Sequence, residues 1–196
     1  RLWQVKSRLA RMQARRILTV SEASARDIAG MLHVPRERID VTTEGADATF
    51  RPITDPARLA AARGRHGIAA EDRVLTCVGG FNRHKNVIRL IEAMPAILAA
   101  CPAARLVIVG RTTGDRFWDN VDELRAGASR DARASGRITF PGEITDADMA
   151  ELLSLSDALV FPSLWEGFGL PAVEAMYRAT PVLASDRGSL PEVVGG

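Results

Sequence analysis

Two glutamates, Glu166 and Glu174, enclose seven residues that open with the bend Gly167-Phe168-Gly169-Leu170 and continue into Pro171. A carboxylate suits a vicinal diol, because its two oxygens accept from two hydroxyls and each charge-assisted hydrogen bond contributes about 1.5–3 kcal/mol. Gly167 and Gly169 reach backbone torsions closed to other residues and carry no side chain to hold a ligand away. Pro171 fits the first position of a helix, so N–H groups of the bend and of the helix start point outward, toward a phosphate or an electron-rich sugar oxygen. Singly, each acid has an ordinary explanation, since the helix macrodipole stabilises an acid in the first turn with no ligand present. Together with the glycine bend, at the end of a strand-like apolar run, they form a site in which one acid is placed to meet a sugar and the other a ribose.

A second candidate lies in VGGFNRHKN, residues 78–86. An apolar run ends at Gly79-Gly80, and a loop carrying Arg83, His84 and Lys85 leads into a helix that Asn86 is placed to cap. Backbone freedom, basic side chains and a helix N-terminus make an anion site, best suited to a diphosphate. Lys85 is the preferred phosphate contact and Arg83 the second, whereas His84 reads as a surface or helix-start residue. A third, weaker candidate is the turn Pro141-Gly142 in RITFPGEITD, whose backbone groups can read the edge of a nucleotide base. Arg111 follows the run RLVIVG and reads as a solvated surface residue. No G-x-G-x-x-G and no G-x-x-x-x-G-K-[ST] occurs, so ordinary dinucleotide binding and P-loop chemistry lack their main signature.

The elements that must hold these loops alternate along the chain. Strands are expected at Ile17–Val20, Arg38–Thr42, Arg73–Val78, Arg105–Val109, Arg137–Phe140, Asp157–Phe161 and Pro181–Ala184. Helices are expected at Glu22–Leu32, Pro56–His66, Val87–Ala100, Phe117–Ala132, Ala147–Leu155 and Pro171–Arg178. Such alternation predicts an α/β fold, a doubly wound Rossmann-like parallel sheet with both faces covered. RLVIVG and DALVFP are nearly continuous apolar runs, as buried parallel strands require. Ser21 and Asp55 are placed to cap the helices that follow them, and Ser189-Leu190-Pro191-Glu192 has capping-box spacing. Pro95 removes a backbone donor inside a helical stretch and is expected to bend or divide it.

The sequence of 196 residues is 46% apolar and holds two cysteines. A chain of this length buries roughly 70% of the surface it exposes when unfolded, so it needs no disulfide framework. Cys77 and Cys101 have neither metal-ligand spacing nor His companions, and they read as small hydrophobes of a reducing compartment. No apolar run is long enough to span a bilayer, and RLWQVKSRLA lacks the apolar core of a secretory signal, so a cytoplasmic location is expected. The net charge of +2 hides an asymmetry, because residues 1–16 hold six basic side chains and no acid. Leu2, Val5, Leu9 and Met12 recur at helical spacing, giving an amphipathic helix with a basic face. That helix either docks on something outside this chain or lies peripherally on a membrane surface or against nucleic acid. A composition shift near residues 44–52 suggests a connection between two units.

These segments resemble the nucleotide-sugar-binding half of the family 4 glycosyltransferases, which have the two-domain GT-B architecture. The carriers, in that family's order, are the GG…KN loop, the F-P-G turn, the E-x(7)-E element with EGFGLP at its core, and the ending PVLASDRGSLPEVVGG. The resemblance covers roughly Ile17 to Gly196. It implies transfer of a sugar from a nucleotide-diphosphate donor to an acceptor, with retention of configuration, no metal, and no cofactor beyond the nucleotide-sugar co-substrate. It places Glu174 on the donor ribose, Glu166 on the transferred sugar near its reacting centre, the amides of Gly167 to Leu170 on sugar and phosphate oxygens, and Lys85 on the diphosphate. Many members have Arg directly after the glycine of the strand-end loop, where this chain shows Gly80-Phe81. The resemblance further implies a fragment: residues 1–37 as the remnant of an acceptor-side domain, and residues 38–196 as a donor domain truncated at its C-terminus. The acceptor is left open among a glycan, a lipid-linked sugar at the inner face of a membrane and a small molecule, and no nucleic-acid partner is expected. A non-catalytic nucleotide-sugar sensor or scaffold of the same fold is the alternative.

Overall fold

A computed structural model describes Lys6, Leu9 and residues 11–111 and 120–195. Of the expected first helix, Lys6, Leu9 and residues 11–13 are helical, while Leu2 and Val5 lie outside the described residues, as does Phe117. The first unit is small. Strand β1 (Ile17–Thr19) leads into helix α1 (Glu22–Leu32), and strand β2 (Ile39–Val41) returns parallel to β1, pairing Ile17 with Ile39 and Thr19 with Val41. Ala25, Val34 and Ile39 form its own buried cluster. The strand expected at Arg38–Thr42 therefore belongs to the sheet of β1 rather than to the one that follows.

The second sheet has five parallel strands, β3 (Arg73–Val78), β4 (Ala104–Val109), β5 (Ile138–Gly142), β6 (Ala158–Phe161) and β7 (Val182–Ala184), in the order β5-β4-β3-β6-β7. Helix α2 (Pro56–Arg65) precedes it, and α3 (Val87–Ala100), α4 (Val121–Ala128), α5 (Ala132–Ser135), α6 (Asp146–Leu155), α7 (Leu170–Tyr177) and α8 (Leu190–Val194) follow in turn. Successive strand side chains point to opposite faces, and two cores result. Val74, Val107, Val109, Leu159 and Phe161 pack with α2, α6 and α7, whereas Cys77, Leu106, Ile108 and Val160 pack with α3, α4 and α5. Sequence order reverses between β3 and β6. In an open parallel sheet the crevice outside the strand ends at such a switch point is where ligands bind.

Local signals differ in how they are used. Ser21 accepts from the amide of Ser24, and Asp55 from those of Ala57 and Arg58, as expected of caps. Pro95 does not divide its helix: α3 runs from Val87 to Ala100 through it. That helix presents Val87, Leu90, Ile91, Met94 and Leu98 to the core, and this burial outweighs one missing donor. The expected box at Ser189–Glu192 is absent, since Ser189 makes no side-chain cap on α8. Its hydroxyl and the Glu192 carboxylate are both engaged by other elements. Pro141 and Gly142 continue β5 rather than forming a turn beyond it, which an edge strand tolerates because a ladder donor is dispensable there.

Candidate functional site

The loops after β3 and β6 meet at the switch point and are stitched together. The Leu164 amide donates to the His84 carbonyl at 2.7 Å, and the Asn86 side-chain amide donates to the Pro162 carbonyl at 3.2 Å. Asn86 thus anchors the neighbouring loop instead of capping α3. The Lys85 ammonium donates to Glu166 Oε1 at 2.7 Å, with both side chains largely buried, and lies 5.4 Å from the Phe161 ring centre. Desolvation offsets much of the attraction within such a pair, so it adds little stability but fixes both groups toward one point. A methyl group on Gly79 would touch the Lys85 stem at 3.4 Å, and Gly80 follows in the same loop.

The bend after Glu166 is held from two sides. Ser21 and Ser24 of the first unit donate to the Gly167 carbonyl at 2.5 and 3.0 Å, and Ser189 lies 2.7 Å from the Phe168 carbonyl and 3.2 Å from that of Glu166. Gly169 has φ 101°, where a side chain would be strained, and a Cβ there would meet Leu190 at 2.8 Å. Among the described residues, the amides of Gly167, Phe168, Gly169 and Leu170 meet no acceptor. Phe168 itself is buried.

Glu174 lies in α7, half-buried, and no described residue makes a hydrogen bond or ion pair with its carboxyl group. Burial, reinforced by the charge of Asp146, pushes its carboxyl up to about 7. A carboxylate placed so gains when a ligand brings hydroxyl donors. Asp146 opens α6 just beyond β5, so Glu174 stands on the side of Pro141 and Gly142. The Gly142 carbonyl accepts from Gly110 at 3.1 Å.

Arg83 departs from this convergence. Its side chain is 89% exposed and reaches toward Glu123 at 3.9 Å, lining a cavity of about 320 Å³ with Asn82, Asn86, Arg89 and Asn120. Phe81 is buried against Phe140, ring centres 6.3 Å apart, so where many family members carry a cation this chain carries core. His84 stacks edge-on against Trp165, and Arg111 is an exposed partner of Glu143. Among the described residues, no three His, Cys, Asp or Glu side chains are grouped to hold a metal ion, and no helix is long and apolar enough to cross a membrane.

Three contributors escaped the sequence reading. Ser21 was legible as a cap but not as a donor to Gly167, 146 residues away. The Trp165 indole donates to Asp27 at 2.9 Å, and Glu192 accepts from the amides of Glu22 and Ala23 at 3.1 and 3.0 Å. An apolar groove of about 510 Å³ beside this junction is lined by Ile28, Met31, Leu32 and Trp165.

Known proteins resemble the chain in sequence and in fold. The chain is 32% identical over 182 residues to the O-antigen chain mannosyltransferase B of Escherichia coli, covering 93% of this chain and 46% of that protein. It is 33% identical to the D-inositol 3-phosphate glycosyltransferase of Nocardia farcinica, covering 93% of this chain and 40% of that one. It therefore spans under half the length of these relatives. Anabaena Alr3699/HepE, solved in complex with UDP and glucose, superposes with a TM-score of 0.82 at 26% identity, covering 96% of this chain and 49% of the other. Residues 60–196 match the family described as Glycosyl transferases group 1. With a GT-B domain fold and a family match over most of its length, the chain belongs to the group 1 glycosyl transferases.

Proposed function

We propose that this chain supplies the donor-binding half of a retaining glycosyltransferase that moves a sugar from a nucleotide-diphosphate donor to an acceptor. The observation that carries this reading is the meeting at the switch point of Lys85, Glu166 and the amides of Gly167–Leu170, which meet no acceptor among the described residues. Lys85 and those amides receive diphosphate and sugar oxygens. Glu166 holds the sugar beside its reacting carbon, and Glu174 accepts from the ribose hydroxyls, while the backbone at Pro141 and Gly142 borders the base. Transfer places negative charge on the leaving diphosphate, so fixed donors stabilise the transition state without a metal ion. Positioning of the acceptor, worth several kcal/mol of the barrier, falls to the other half of the protein. The division between the halves falls within residues 42–55, after β2. The chain's relation to UDP-bound HepE supports a nucleotide-sugar as ligand.

Calorimetric titration of the 196-residue chain with UDP, GDP and ADP tests the proposal. One of them binds, and Lys85→Met abolishes or sharply weakens it. Absence of binding by all three, or affinity indifferent to Lys85, overturns the assignment. Joined to an acceptor half and given the sugar donor of the preferred base, the protein releases nucleoside diphosphate only as it forms a glycoside. A sensor would bind the donor and release nothing.

A further inference from the structure

We infer that Ser189 is the positioning residue that aims the amides of the glycine bend at the donor, an inference that rests on the donor-site reading above. A trans peptide holds its C=O and N–H antiparallel, and the described chain contains no cis bond. Whatever grips the carbonyl of one residue therefore directs the N–H of the next. Ser189 is fully buried and its hydroxyl lies against the carbonyls of both Glu166 and Phe168, so the N–H groups of Gly167 and Gly169 point away from α8. Ser21 and Ser24, at the start of α1, hold the intervening Gly167 carbonyl. Both glycine amides thus point away from Ser189, and among the described residues neither meets an acceptor, so each is open to an oxygen of a ligand.

The place of Ser189 is itself enforced. Gly188 has φ 59°, and a Cβ there would stand 2.7 Å from the Glu166 nitrogen and 3.0 Å from its carbonyl oxygen. The chain before α8 is pressed against the bend too closely for any side chain at 188. A hydroxyl has a single proton, shared here between two carbonyls. Replacing it with hydrogen leaves the fold and its packing in place but frees two peptide planes to rotate. The recognised chemistry is an oxygen acceptor of the donor, carried either by the diphosphate or by the sugar.

The test compares Ser189→Ala with the unaltered chain for three ligands of the preferred base: the nucleoside, the nucleoside diphosphate and the nucleotide-sugar, for example uridine, UDP and UDP-glucose. Nucleoside affinity is expected to stay the same. UDP affinity falls about tenfold if the amides hold phosphate, and only UDP-glucose affinity falls if they hold sugar. A merely structural serine lowers all three together or none, and either result overturns the inference. Lys85→Met serves as the reference. If it weakens UDP while Ser189→Ala leaves every ligand unaffected, the positioning role fails and the donor site stands. If neither variant alters UDP, the donor site itself fails. Should Ser189→Ala not fold, Ser189→Cys carries the same comparison, with a sulfur of similar size that donates only weakly.

Discussion

The two ends of the five-stranded sheet treat charge in opposite ways. At the amino ends of the strands, the Asp72 carboxylate is wholly buried and fully partnered, accepting from Arg105 at 2.5 Å, Arg137 at 2.8 Å and the Ala69 amide at 2.9 Å. Burial opposes its charge, yet these donors hold its carboxyl below the ordinary range. At the carboxyl ends, the Glu174 carboxyl has no hydrogen-bond or ion-pair partner among the described residues and is pushed up to about 7, and four consecutive amides meet no acceptor among them. Asp72 is satisfied by the protein itself, and at the other end Lys85 and Glu166 satisfy each other, whereas on the proposed reading Glu174 and the bend amides are completed by a ligand. Stability and binding are thus separable by position along the strands.

Asp72→Ala should break this separation most severely. It strands two arginines and lowers unfolding free energy by about 3 kcal/mol, measured in urea, while the folded protein keeps its nucleoside diphosphate affinity. Loss of that affinity would show the ends to be coupled. Lys85→Met should do the reverse, costing about 10- to 150-fold in nucleoside diphosphate affinity, the worth of one charged hydrogen bond. Its thermal midpoint should fall as well, because the largely buried Glu166 loses its cation, but by less than that of Asp72→Ala, which removes the shared partner of two arginines.

Glu174→Ala should weaken donor binding by about tenfold, and its titration gives a sharper signature. The folded state keeps a proton on Glu174 that the unfolded chain releases near its ordinary 4.5, so stability falls as pH rises from about 4.5 to about 7. Ribose hydroxyls favour the charged form, so donor affinity rises across pH 7. Glu174→Gln should flatten both profiles, and profiles unchanged in that variant would assign them to another group. The smallest effect belongs to Arg83→Ala. With its side chain almost fully in solvent, the change should alter diphosphate affinity by less than about twofold; a loss matching that of Lys85→Met would bring Arg83 into the site.

What the sequence disclosed follows a physical line. Strands buried on both faces, such as Leu106–Val109 and Leu159–Phe161, are legible because burial selects unbroken apolar runs. The loops after β3 and β6 were legible as site loops through their glycines, but the ion pair between Lys85 and Glu166 was not, because neither segment names its partner in the other. Other features that depend on distant partners were not legible either. Ser189 and Glu192 have the spacing of a local box, but tertiary contacts compete for the same oxygens: Ser189 serves the bend and Glu192 serves α1. The sequence ranks Lys85 above Arg83 as a phosphate contact but keeps both as candidates in one loop. Only the turn at Arg83–Lys85 sends one inward and the other out.

The hold of Glu192 on the first turn of α1 closes a loop of 170 residues. During synthesis α1 emerges well before α8 and cannot finish its docking until Glu192 has been made. Contacts of such sequence separation form slowly. The junction between the small sheet and the large one is therefore expected to close late among the contacts of these residues, and until then chaperones or proteases meet α1 with that face uncovered.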